Sequence, residues 1–360
     1  MFGFTTDAEG PLVLNDNAEE IYRSLVGGGY PVLSKWVVYR FEVEKDPRYK
    51  AGDTLRIIVP FLKAHGATNR GLEEFSRETI RFVPGAKETL RHISEKGCHS
   101  AIISTSYAPY VRALCDITGF CFDDAYCTEF DIDRYPINDA ESRVLRAYAR
   151  EISGMKVPEW RRGTESVEGF DQEHADTVQR LNSIFDDVLC MDIGKAISEI
   201  EPVGGPGKAA ALHEFSKRSG IPLRDTLYRG DSITDVAAFR SIRKDGGLAV
   251  SFNGNGYAVD EADIAIMSPN TRPSSAVADV FERKGKREVL QMAREWHDAV
   301  TQKCLGDFGV SPWISESISG TYDQAKRIPS VVFLDGNMNE IGRLSESFRK
   351  TVRGQAGNLV

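Results

Sequence analysis

The sequence predicts an α/β fold with a mainly parallel sheet. Short apolar, β-prone runs at residues 2–6, 99–103, 226–228, 246–252 and 262–266 alternate with longer stretches. In those stretches the apolar residues recur at three- and four-residue spacing, the period of a helix with one buried face. Strands that alternate with helices favour parallel pairing through crossover connections. The polar and acidic residues that carry chemistry also sit just after the strand runs, where open α/β sheets bind their ligands.

The elements follow in order. Residues 2–6 form the first strand and stop at Asp7-Ala8-Glu9-Gly10-Pro11, where Gly-Pro opens a turn. Helical patterns then occupy 18–26, 33–44, 54–65 and 71–82, separated by Gly27-Gly28-Gly29, Asp46-Pro47 and Gly66-Ala67-Thr68-Asn69. Four helices placed straight after the first strand read as a helical cap, residues 15–84, rather than as a crossover. Pro84-Gly85 returns the chain to the sheet, with a helix at 86–96 stopped by Gly97 and a buried strand at 99–103. That strand runs into Ser104-Thr105-Ser106-Tyr107 and a helix at 109–118. Residues 121–199 read as a second, mostly helical insertion with helices at 140–152 and 171–188. The polar stretch between those helices holds Arg161 and Arg162, which read as a solvated face rather than a substrate clamp.

Gly204-Gly205-Pro206-Gly207-Lys208 opens a helix at 209–219 and superficially suggests a phosphate loop. The G-x-x-x-x-G-K-[ST] spacing needs Gly at 202 and Ser or Thr at 209, which are Pro202 and Ala209. It is no Walker motif. Strands at 226–228, 246–252 and 262–266 follow, then a long helix at 282–303. The core is therefore expected from residues 1–14, 85–120 and 200–295. Residues 296–360 are expected to be a helical extension, including a helix at 340–353, packed on the core, on a second subunit or on a protein partner.

Composition bounds the function. At 360 residues with 41% hydrophobic content, the chain can bury a substantial core with insertions. A net charge of −8 argues against a nucleic-acid footprint, which wants a basic face. An anionic ligand stays compatible if a metal and a lysine reverse the sign locally. No apolar run approaches the length of a membrane span, so membrane insertion is not expected. The chain opens on a core strand rather than a leader, and a cytoplasmic location is expected. The six cysteines (98, 115, 121, 127, 190, 304) show no C-x-x-C pair and read as buried or reduced thiols. The scattered histidines form no H-E-x-x-H, which speaks against zinc.

The candidate chemistry lies at strand ends. Tyr228-Arg229-Gly230-Asp231-Ser232-Ile233-Thr234-Asp235 places Asp231 at a strand's carboxyl end and Asp235 one turn later on the same side. Two such carboxylates suit a hard divalent cation, which takes oxygen ligands. Read alone, the stretch is equally a Gly-Asp turn with an acid in the first turn of a helix. Asp7 and Glu9 follow the first strand, where Asp before Gly-Pro is also ordinary turn chemistry. Ser104 lies between a strand and a helix, able to hold a phosphate or simply to cap the helix.

Taken together, Asp7-Ala8-Glu9, Ile102-Ile103-Ser104, Gly207-Lys208 and Gly230-Asp231-Ser232-Ile233-Thr234-Asp235 resemble the motifs of the haloacid dehalogenase (HAD) superfamily. The resemblance covers the core, roughly half the chain, and implies a Rossmann-like core and a Mg²⁺-dependent phosphohydrolase acting on a small phosphorylated substrate. It further implies Asp7 as nucleophile, Glu9 as general acid/base, and Ser104 and Lys208 on the phosphoryl oxygens. Metal ligands would be Asp7, the backbone carbonyl of Glu9, Asp231 and Asp235, the last directly or through water. Glu9 departs from the superfamily's usual second Asp, which puts the acid/base step in question. Asp7-Ala8-Glu9-Gly10-Pro11 with Asn15-Asp16-Asn17-Ala18 is similar to archaeal members labelled energy-converting hydrogenase A subunit R. That label implies an association with a membrane hydrogenase, although no iron–sulfur spacing appears. The alternative function is a catalytically weak or inactive subunit of the same fold that binds a protein partner, as Glu9 and the long tail suggest.

Overall fold

The computed structural model describes residues 2–160 and 171–354, so Arg161 and Arg162 lie outside the described residues. One sheet holds seven strands: β1 (Gly3–Thr6), β2 (His99–Tyr107), β3 (Ala125–Thr128), β4 (Thr226–Gly230), β5 (Leu248–Phe252), β6 (Ile264–Met267) and β7 (Ser330–Phe333). Their order is β3-β2-β1-β4-β5-β6-β7, with every pair parallel except β6 and β7. The fold is thus the Rossmann-like α/β class expected from the sequence. β1, β4 and β5 are buried along their whole length, as strands covered on both faces must be. The chain runs outward from β1 to β2 and β3, then returns to place β4 on β1's other side. That reversal opens a crevice beyond the carboxyl ends of β1 and β4.

Side chains of neighbouring residues on β4 enter different clusters, as the pleat requires. Leu227 joins Phe4, Val250, Phe252 and Ile264, whereas Tyr228 joins Ile103, Phe239, Ile242 and Ala265. A third cluster lies outside the sheet except where Tyr107, the last residue of β2, joins it. It draws Tyr22, Trp36 and Phe61 from the helices Asn17–Leu25, Tyr30–Glu42 and Thr54–Ala64, and Leu145, Leu181 and Phe185 from Asp139–Ser153 and Gln172–Leu189. Trp36 stacks on Phe185 with centroids 4.4 Å apart. The two stretches read as separate insertions therefore form one helical body. It meets the core at Tyr107, whose hydroxyl donates to the Leu55 carbonyl, and through a small apolar cluster of Val38, Ala51 and Ile233.

Four expectations need correction. β2 continues to Tyr107, four residues past the expected 103, because the Thr128 hydroxyl donates to the Thr105 carbonyl and extends the pairing to β3. β3 lies inside 121–199, so that stretch is not solely an insertion; a four-residue edge strand is too short to show alternation. β7 lies inside the extension expected to be helical. The helix at 282–303 is three helices, Arg272–Lys284, Lys286–Arg294 and Trp296–Thr301, broken first at Gly285, whose φ of 77° ends the first. Among the described residues no helix is long and apolar enough to cross a membrane. All six cysteines are free, with Cys121 and Cys190 exposed.

Candidate active site

Asp7 continues β1 by one ladder bond: its N–H donates to the Arg229 carbonyl at 2.8 Å. Its Oδ1 accepts from the Ala8 N–H at 2.7 Å, and its Oδ2 accepts from the Lys208 ammonium. Lys208 sits in the first turn of the helix Pro206–Ser219, fully buried, and its Nζ also donates to Asp235 Oδ1 at 2.7 Å. The Tyr228 hydroxyl reaches the same oxygen. Asp235 Oδ2 accepts the N–H groups of Asp231 and Ser232, at 2.9 Å each, so Asp235 frames the turn after β4. Ligand oxygens of Asp7, Asp231 and Asp235 lie within 4.8 Å of one another, and all three residues are buried.

Buried carboxylates at such spacing repel unless cations offset them. Burial, together with Asp235 and Asp231, pushes the Asp7 carboxyl up to about 7, against the lowering influence of Lys208. Burial acts in the same direction on Asp235, but Lys208 and Tyr228 outweigh it and hold that group below the ordinary carboxylate range. Lys208 stays charged, since Asp235 and Asp7 more than compensate its desolvation. Burial, aided by Asp16, raises Glu9 well above the ordinary range.

The donor set suits a hard cation. Asp7 and Asp231 offer carboxylate oxygens, and no described group donates a hydrogen bond to the Glu9 carbonyl. Both oxygens of Asp235 are already taken, which leaves it a ligand through water. Gly10, at a φ of 88°, lets the loop pass against Asp231: a Cβ there would stand 2.1 Å from Asp231 Oδ2.

The structure thus brings Asp7, Lys208, Asp231 and Asp235 into contact. Glu9 and Ser104 line the same cavity, but Glu9 turns its carboxyl to the Asn17 N–H at 2.8 Å, and the Ser104 hydroxyl donates to Ser106 at 3.0 Å. Thr105, which sequence reasoning passed over, lines the cavity with a buried hydroxyl that has no partner. Also missed were Arg349 and Arg353 on the helix Met338–Arg353. Both donate to Asp231 Oδ2, Arg353 at 2.9 Å, and Arg353 also bonds the carbonyls of Leu14 and Asn15. Two arginines four residues apart share one helix face, the only signal the sequence held of them.

No protein-family model and no curated protein matches the chain. Among solved structures it is similar to a gene product of Archaeoglobus fulgidus, with a TM-score of 0.76 and 24% identity over 99% of this chain and 98% of that one. It is also similar to a substrate-bound phosphoserine phosphatase (TM-score 0.46, 18% identity, 76% of this chain and 95% of that one). A further likeness is to a HAD family hydrolase of Salmonella enterica serovar Typhi (TM-score 0.44, 12% identity, 72% of this chain and 65% of that one). The first shows that the fold recurs along nearly the whole chain; the other two are too distant to carry an argument.

Proposed function

We propose that this chain is a Mg²⁺-dependent phosphohydrolase of the haloacid dehalogenase type, acting on a small phosphorylated metabolite through an aspartyl-phosphate on Asp7. The observation that carries the reading is the meeting of Asp7, Asp231 and Asp235 around Lys208 at the carboxyl ends of β1 and β4. Three carboxyl groups and an ammonium in one buried crevice are costly for stability alone, and phosphoryl transfer needs that combination of nucleophile, cation and acidic metal cradle.

Asp7 Oδ1, held by the Ala8 N–H, and Oδ2, held by Lys208, fix the carboxylate that attacks phosphorus. Lys208, Ser104 and Thr105 present donors to the phosphoryl oxygens, where charge builds in the transition state. Magnesium, held by Asp7, Asp231, the Glu9 carbonyl and, through water, Asp235, would neutralise those oxygens. Glu9, kept protonated by burial, hands its proton to the leaving oxygen and then draws one from the water that hydrolyses the acyl phosphate. The helical body, whose Tyr30, Val37 and Phe41 line the cavity, acts as the cap that excludes water.

The test is hydrolysis of para-nitrophenyl phosphate and a phosphometabolite panel, with and without Mg²⁺, in wild type and Asp7→Asn. Expected is metal-dependent turnover that Asp7→Asn abolishes while circular dichroism stays unchanged. Full activity in Asp7→Asn would exclude the aspartyl-phosphate route. No turnover in a folded protein that binds Mg²⁺ would move the reading to a partner-binding subunit.

A further inference from the structure

The last helix reaches into the site with more hydrogen-bond donors than Asp231 can accept. Arg349 and Arg353 are both buried, both place Nη1 on the same oxygen of Asp231, and both line the cavity that Asp7 lines. Two guanidinium groups on one carboxylate oxygen repel each other and cannot satisfy all their N–H donors there, in a place from which water is largely excluded. Arg353 is otherwise occupied with the carbonyls of Leu14 and Asn15. Arg349 is not: among the described residues it bonds Asp231 alone, and its Nε is buried without a partner. Asp16, another carboxylate on this wall, accepts the Glu19 N–H at 3.0 Å.

We propose that Arg349 and Arg353 form a second anion subsite, so that the ligand of this cavity carries a carboxylate or a second phosphate beside its phosphoryl group. The inference rests on the phosphohydrolase reading in taking the first group to be phosphoryl. A guanidinium fork pairs with planar or tetrahedral oxyanions through two parallel N–H donors, and an arginine with free donors in a dry cavity is suited to one. Asp231 separates this subsite from Asp7 by a single side chain, so the two anionic groups sit close together on a compact molecule. The cavity volume of about 90 Å³ agrees, being too small for a nucleotide. Phosphorylated hydroxy acids and short bisphosphates are the matching class. Asp7, Glu9, Asp16 and Asp231 outnumber the two arginines on the wall, so the anion enters only once a divalent cation is present.

The test titrates the full-length protein, in Mg²⁺ exceeding the probe, by isothermal titration calorimetry with non-hydrolysable probes. Methylphosphonate carries one anionic group, phosphonoacetate adds a carboxylate, and methylenediphosphonate adds a second phosphonate. Expected is ten- to a hundredfold tighter binding of at least one two-anion probe, and which of them it is separates carboxylate from phosphate. In Arg349→Ala that affinity ratio falls to near one. Arg349→Lys, which keeps the charge without the fork, falls severalfold and decides the matter if the alanine variant does not fold. An arginine that merely holds Asp231 would weaken all probes together and preserve the ratio. That result, or a wild-type ratio near one, overturns the subsite while leaving the phosphohydrolase reading intact. Failure of every probe to bind, alongside absent turnover, overturns both.

Discussion

The extra methylene of Glu9 has a visible use. Its carboxyl extends from the loop after β1 to the N–H of Asn17, the first residue of the helix Asn17–Leu25, and so ties the loop that holds Asp7 to the helical body. An aspartate at this position would be too short for that bond. Glu9→Asp is therefore expected to lower turnover tenfold or more, since displacement of about an ångström is that costly. Glu9→Gln keeps the reach but has no proton to give, and should lower kcat by about 10²–10⁴ with KM little changed. Steady-state kinetics decides both, and faster hydrolysis by Glu9→Asp would show the native site to be detuned. Gly10→Ala would drive a methyl into Asp231 at a φ of 88°. Expected are Mg²⁺ binding weakened at least tenfold by calorimetry and stability lower by about 1–3 kcal/mol. At this scale the sequence was informative where chemistry sits beside a strand end, as with Asp7, Lys208, Asp231 and Asp235. It was silent on Arg349 and Arg353, because basic residues four apart on an amphipathic helix look like any solvated face. Thr105 was hidden differently: three hydroxyls in a row do not say which one lacks a partner.

Among the elements, the helices carried their own punctuation and the short strands did not. Asn138, Asp171 and Asn255 cap helices with side-chain bonds to the first turn, a signal printed in the sequence. β3 and β7 have four residues each and gain their place only by pairing with β2 and β6, which no local pattern records. The junction of the helices Ala86–Glu95 and Arg272–Lys284 depends on one buried carboxylate. Asp279 accepts from His92 Nε2 at 2.7 Å, Lys96 Nζ at 2.9 Å and the Ser311 N–H at 2.8 Å. Burial opposes its charge, but His92, Lys96 and Ser311 prevail and hold it well below the ordinary carboxylate range. A carboxyl lowered on folding adds stability that is complete above its unfolded pKa of about 4 and is lost progressively as pH falls from there through its lower folded value. Asp279→Asn should cost about 3 kcal/mol at pH 7, with the gap to wild type narrowing below pH 4. Urea melts at pH 7 and pH 2.5 check it; an equal gap at both would remove Asp279 as the source.

Over the whole molecule, the sheet and the helical body each build a core of their own. Among the described residues the buried apolar links between them are Tyr107 of β2, which joins the helical cluster, and the group Val38, Ala51 and Ile233. Interfaces of that kind permit relative motion of the parts they join. Calorimetry of the metal-free protein should therefore show overlapping transitions, with the measured enthalpy exceeding the van't Hoff value. Mg²⁺ with a bound phosphonate should draw them toward one. A single two-state transition without ligand would mean that the polar contacts, Glu9 to Asn17 among them, couple the bodies more tightly than their apolar contact implies. The arginine clamp has a further consequence for the order of events during synthesis. Asp7 and Asp231 leave the ribosome long before Arg349 and Arg353, which arrive with the helix Met338–Arg353. At translation rates of about 5–20 residues per second, the nascent sheet spends several seconds with that helix still to come. Throughout that interval Asp231 has neither guanidinium beside it, and free Mg²⁺ is the counter-charge at hand. On the metal-binding reading proposed above, the growing chain would then meet the cation before its own final helix, and the ion would serve the assembly of the site first.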